Sequence, residues 1–180
     1  MKKLIALPFL FVFITVSAQI SKVSIQASGL TCSMCSNSIN KAIRSLDYVQ
    51  DVEANIKNST FDISFNNADK VNIDQLKKKV EDAGFFVAKF EVIMNFNDLQ
   101  ISNDAHVEVN GMLLHFLNVP NRTLSGNVKI KLLDKGFVAA KEFKKNRVFT
   151  KMECYKTGLT SSCCNQKNKP SGLRIYHATL

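Results

Sequence analysis

Between residues 23 and 92 the apolar side chains change period in a fixed order, and that order constrains the fold more than any other feature. Val23, Ile25 and Ala27 alternate with polar residues, the pattern of a half-buried strand. Cys35, Ile39, Ala42, Ile43 and Leu46 then recur at helical spacing and share one face. Val52, Ala54 and Ile56 alternate again, as do Phe61, Ile63 and Phe65, around a turn at Lys57-Asn58-Ser59. These two runs predict a hairpin. A second helix is predicted from about Ile73 to Ala83, with Ile73, Leu76, Val80 and Ala83 on its inner face. Asn72 can cap its start with Gln75 three residues on, as in a capping box, and Gly84 suits its end. Phe85 to Val92 reads as a last strand.

Strand, helix, strand, strand, helix, strand is the split βαβ order of ferredoxin-like domains. In that arrangement two amphipathic helices cover one face of a four-stranded antiparallel sheet. From about Asn95 the character changes. Val107 and Val109 meet Met112 and Leu114 across Asn110-Gly111, a strong hairpin turn signal. Val128, Ile130 and Leu132 alternate with Asn127, Lys129 and Lys131, and Pro120-Asn121 and Ser125-Gly126 mark turns. No long helix is evident after residue 95. The expected class is α+β: a ferredoxin-like βαββαβ domain over residues 19–93, then a small β-rich domain over 94–149. A Cys-containing tail of weak structure follows over 150–180.

The first 18 residues look like an address. Met1-Lys2-Lys3 precedes an apolar run from Leu4 to Val16, and Val16-Ser17-Ala18 fits a small-residue cleavage site. The run is short for a bilayer span, which needs about 20 residues. Residues 1–18 therefore read as a cleavable signal peptide, and the expected location is the periplasm or the exterior. Cysteines there meet an oxidising environment.

The net charge of +9 is unevenly placed. Residues 19–91 carry nine basic and nine acidic side chains, whereas residues 92–180 carry thirteen basic and six acidic. Export makes nucleic acid an improbable partner. Any partner of the basic half is expected to be acidic.

The chemistry concentrates at Gly29-Leu30-Thr31-Cys32-Ser33-Met34-Cys35. Two thiols separated by two residues, at a loop-to-helix junction, can face one small ion. The positive helix end favours their thiolate forms. Two soft thiolates with no neighbouring Asp, Glu or His suit an ion of low coordination number, above all Cu(I). Structural zinc wants four ligands, and no second C-x-x-C supplies them. A redox-active disulfide uses the same spacing and is the alternative from another functional class.

This segment resembles the heavy-metal-associated domain of copper chaperones, copper-ATPase modules and the periplasmic mercury-binding protein. That family carries G-M-T-C-x-x-C on a βαββαβ scaffold, and residues 22–92 match it in motif and element order. The resemblance implies one metal ion held by Cys32 and Cys35: Cu(I), or alternatively Hg(II) or Zn(II). It also implies a metal-carrying rather than a catalytic role, with a thiol-bearing transporter or chaperone as partner. Leu30 replaces the family's usual Met and keeps its volume. The resemblance places Phe85 near the metal loop, where cytosolic chaperones often have Lys. Met34 offers a thioether, although side chains between the two cysteines usually face solvent.

Three further cysteines, Cys154, Cys163 and Cys164, lie close together with His177 beyond. A disulfide from Cys154 to Cys163 or Cys164 would staple the tail. A second soft-metal site, with His177 as a further ligand, is the sharper alternative. His115, inside an apolar run, is expected to be a hydrogen-bonded strand residue, and His106 an exposed residue near a strand start. The run from Lys141 to Arg147 reads as a solvated face, with Phe143 among its cations hinting at an anionic partner. Asn58-Ser59-Thr60 and Asn121-Arg122-Thr123 match the glycosylation sequon, which has meaning only in a eukaryotic secretory pathway. No Ser, His and Asp order, phosphate loop or paired-carboxylate motif is evident.

Overall fold

A computed structural model describes residues 20–30, 33–162, 164 and 171–180. The expected signal peptide, Thr31, Cys32 and Cys163 lie outside the described residues. The first six elements are β1 (Ile20–Ser28), α1 (Ser33–Arg44), β2 (Val49–Asn55), β3 (Thr60–Phe65), α2 (Ile73–Asp82) and β4 (Phe86–Ile101). This is the βαββαβ order that the periodicity predicts. Val23, Ile25, Phe61, Ile63, Phe90 and Val92 from the strands are fully buried with Ile39, Ile43, Leu76 and Val80 from the helices. All belong to one apolar cluster.

The helix ends follow their local chemistry. Asn72 is extended and its side chain accepts from the Gln75 N–H at 2.9 Å, so it caps α2. At the other end Gly84 has φ +87 and nothing stands within 4 Å of a Cβ built there, so backbone conformation, not space, calls for glycine. The Gly84 N–H donates to Glu81 and the Phe85 N–H to Val80, which together make a Schellman ending.

Strand β4 departs from expectation. It runs for 16 residues and passes through residue 93, where the sequence suggested a boundary between two units. Two register shifts make this possible. One falls opposite Gln26/Ala27, and the second between Phe96 and Leu99, where Asp98 has φ 47. Each bulge reverses the alternation. Val87, then Phe90, Val92, Met94 and Phe96, then Ile101 thus all face inward.

Beyond β4 the chain adds β5 (Ala105–Val109), β6 (Met112–Phe116), β7 (Arg122–Leu132) and β8 (Ile175–Thr179) to the same sheet. The order is β2-β3-β1-β4-β7-β8-β6-β5. Asn110 and Gly111, both at positive φ, form the expected two-residue turn, with Val109 opposite Met112. The tail is not weakly structured throughout. Residues 175–179 form β8, which lies between β7 and β6 and pairs in parallel with β6. Parallel strands covered on both faces read as continuous apolar runs, and Leu113, Leu114, His115, Phe116 and Leu117 are all buried.

Two short helices, α3 (Ala140–Asn146) and α4 (Cys154–Thr157), belong to the C-terminal half. Residues 141–147 are therefore not uniformly solvated. Phe143 stacks on Tyr155 with ring centroids 4.8 Å apart, because an aromatic at that helix position finds an apolar neighbour before it finds a ligand.

The two halves are also joined by ions. Arg174 reaches Asp74 on α2 (Nε to Oδ2, 2.9 Å) and Asp134 (Nη1 to Oδ1, 3.2 Å), and the Tyr176 hydroxyl donates to Asp74 at 2.9 Å. Burial alone would raise the Asp74 carboxyl. The Arg174 hydrogen bonds and charge, the Tyr176 hydroxyl and Lys77 outweigh it and hold the group below its ordinary value. A carboxyl depressed in the folded state stabilises above its unfolded pKa, about 3.9, and that contribution is lost as pH falls through the folded value. Urea midpoints are therefore expected to fall on acidification below about pH 5. The fall should be shallower in Asp74→Asn, and identical slopes in the two proteins would contradict this clamp.

Candidate metal centre

Gly29 has φ +85 and ends β1 with a turn toward α1. Cys35 is the third residue of α1, within its first turn. That turn contains no acidic residue to compete for the positive helix end. Cys35 is half-buried, so its thiol sits where partly desolvated thiolate chemistry is possible. Around it, Leu30 is half-buried against the main core. Met34 is 80% exposed, pointing into solvent rather than toward a shared ion. Phe85 is also half-buried against the core and follows the glycine that ends α2. Cys32 lies outside the described residues, so its pairing with Cys35 rests on the sequence spacing.

Of the three C-terminal cysteines, Cys154 and Cys164 are described and Cys163 is not. Cys154, on α4, is fully buried. Its Sγ lies 3.8 Å from His106 Nε2 and 3.7 Å from His115 Nδ1. Cys164 is buried in the same small apolar cluster, with Leu113 and Ile175. His177 does not join this donor group directly. Its Nδ1 meets Asp134 Oδ1 at 3.0 Å, and its ring centroid lies 5.0 Å from that of His115. Cys154 thus lies beside two histidines that the sequence reading did not place with it. His115 is the hydrogen-bonded strand residue expected, with Nε2 2.8 Å from Asp104 Oδ1. His106 is half-buried rather than exposed, because the hairpin sets it directly opposite His115.

The signal for that pair was present in the chain. A two-residue turn at Asn110-Gly111 fixes the register, so Val109 opposite Met112 brings His106 opposite His115. The ring centroids are 4.2 Å apart. Burial, followed by the nearby His177 and His106 rings, lowers the His115 pKa to about 4, against the opposing pull of Asp104. Burial, then His177, lowers that of His106. Both rings are thus neutral near pH 7, the form in which imidazole is a Lewis base.

The structure thus joins a ferredoxin-like sheet to a helix whose first turn holds Cys35, the second thiol of the C-x-x-C. Comparison with known proteins agrees. The heavy-metal-associated domain model matches residues 24–86. The copper chaperone CopZ of Bacillus subtilis is 33% identical over 66 residues, which cover 37% of this chain and 94% of that protein. The periplasmic component of the mercuric transport protein of Pseudomonas fluorescens is 35% identical over 86 residues, 47% of this chain and 93% of that one. The probable copper-transporting ATPase HMA5 of Arabidopsis thaliana is 31% identical over 93 residues, 52% of this chain but only 9% of the ATPase. The chain belongs to the heavy-metal-associated domain family, and its second half lies outside the family match.

Proposed function

We propose that the chain binds a soft metal ion between Cys32 and Cys35 and passes it to another thiol-bearing protein. The observation that carries this reading is the Gly29-Leu30-Thr31-Cys32-Ser33-Met34-Cys35 motif, with Cys35 in the first turn of α1. Cu(I) is the favoured ion, since two thiolates with few other donors suit low coordination. Transfer follows from the same chemistry. A two-coordinate ion can accept a third thiolate from a partner, after which the original ligands leave in turn. A membrane transporter or a chaperone with its own cysteine pair fits that role. The N-terminal segment supports a site of action in the periplasm or outside the cell.

Hg(II) is the second reading, supported by the 35% identity to a mercuric transport protein's periplasmic component. Competitive titration of the reduced protein against a chromophoric chelator tests both. Tight Cu(I) binding at the loop, seen as one equivalent fewer when Cys32 and Cys35 are both changed to Ser, is the expected result. Failure to hold Cu(I), with stoichiometric retention of Hg(II), would replace the first reading by the second. Failure with both ions sinks the proposal.

A further inference from the structure

Three histidines stand side by side on adjacent strands of the C-terminal half. His106 on β5 faces His115 on β6, and His115 faces His177 on β8, each as a direct cross-strand pair. Cys154 on α4 closes over the first two. His115, His177 and Cys154 are fully buried, whereas His106 is half-buried on the outermost strand.

The hydrogen bonds fix which nitrogens carry lone pairs. A carboxylate only accepts, so the Asp104 contact puts the His115 proton on Nε2 and leaves a lone pair on Nδ1, facing Cys154. Histidines that ligate metals commonly anchor the opposite ring nitrogen in this way. Asp134 does the same for His177 through Nδ1 and also accepts from the His177 backbone N–H at 2.7 Å. His177 Nε2 is buried without a hydrogen-bond partner, a costly state for a polar atom.

Distances decide what the three converging atoms can do. The donor atoms of His106, His115 and Cys154 all lie within 4.8 Å of one another. An ion with metal–sulfur and metal–nitrogen bonds of about 2.3 and 2.0–2.1 Å at tetrahedral angles sets its S and N ligands roughly 3.6 Å apart. The two Sγ···N separations are 3.7 and 3.8 Å. The same residues also resemble a nucleophilic Cys-His-Asp set. Full burial of both Cys154 and His115 disfavours attack on a substrate, whereas an ion needs access only past the half-buried His106.

The geometry points to a second metal site in which His106 Nε2, His115 Nδ1 and Cys154 Sγ bind one d10 cation of soft or borderline character, Cu(I) or Zn(II). One thiolate with two imidazoles satisfies three-coordinate Cu(I), and would satisfy Zn(II) with a water as fourth ligand. Asp104 orients His115 from behind, and His177, whose Nε2 has no hydrogen-bond partner, stands beside it as the reserve donor. The site is independent of the loop cysteines, being built wholly from residues beyond the family match.

The test uses the reduced full-length protein carrying Cys32→Ser and Cys35→Ser, which removes the loop site. Zn(II) and Cu(I) are titrated separately against chromophoric competitors. One equivalent of at least one ion is expected to bind, and that ion should protect Cys154 from alkylation as read by mass spectrometry. His106→Ala is half-exposed and should leave the fold intact by circular dichroism while weakening binding more than tenfold. Asp104→Asn should weaken it about 10–100-fold through the orientation of His115. Retention of neither ion, or an affinity unchanged by His106→Ala, overturns the proposal. Uptake of Zn(II) alone or Cu(I) alone would identify the ion.

Discussion

Replacing Cys35 with Ser is expected to weaken Cu(I) binding at the loop by on the order of 1,000-fold, about 4 kcal/mol. A hydroxyl is a hard, neutral donor and cannot replace a thiolate for a soft ion. The remaining thiolate would hold the ion with solvent or with a thiol of the competitor. Folding should change little, because Cys35 lies in the first turn of α1 and is only half-buried. A serine near a helix start is also well tolerated. Unfolding free energy should stay within about 0.5 kcal/mol of the parent protein. Chelator competition measures the first quantity and urea unfolding the second. An unchanged Cu(I) affinity would show that the ion is not held at this position.

The second large effect concerns stability. Asp134→Ala is expected to cost about 3 kcal/mol, near the lower end for breaking a buried ionic group. The Asp134 side chain is only 5% exposed. Its two oxygens accept from Arg174 Nη1, from His177 Nδ1 and from the His177 backbone N–H. Alanine leaves the two His177 donors buried without acceptors. Arg174 keeps Asp74 and the carbonyls of Gly158 and Ile175, which is why the larger figures for a stranded charge do not apply. For a chain of this length the melting temperature should drop by roughly 6–12 °C. Asp134→Asn keeps one acceptor oxygen and should recover part of the loss. A change below about 1 kcal/mol in the alanine variant would refute this role.

The first half of the fold was legible because its signals are local. Alternation, helical spacing, the Asn72 cap and the Gly84 ending each act within a few residues and agree with one another. The hairpin at Asn110-Gly111 was equally plain, and its register would have paired His106 with His115 had it been carried three positions back from Val109 along the strand. The place of β8 was hidden, since a parallel pairing of residues 175–178 with 113–116 leaves no trace in a short window. The passage of β4 through residue 93 was legible in the alternation of Phe90, Val92, Met94 and Phe96, and only its far end was hidden by the bulge after Phe96. At the loop site the reverse holds: the motif offers both candidate ligands, while the structure describes one of them.

One consequence of the long β4 concerns self-association. A four-stranded unit stopping at residue 93 would expose β4 as an edge strand, an open row of backbone donors and acceptors that invites another chain. Here β7 pairs with β4 from Glu91 to Ile101, which covers the C-terminal end of that row. The exposed rims of the eight-stranded sheet become β2 and β5, both short. β2 carries solvent-facing Asp51 and Glu53, and β5 carries Glu108. Charges on short rims discourage strand-to-strand aggregation. The C-terminal half therefore shields part of an edge that a unit ending at residue 93 would leave open to other chains.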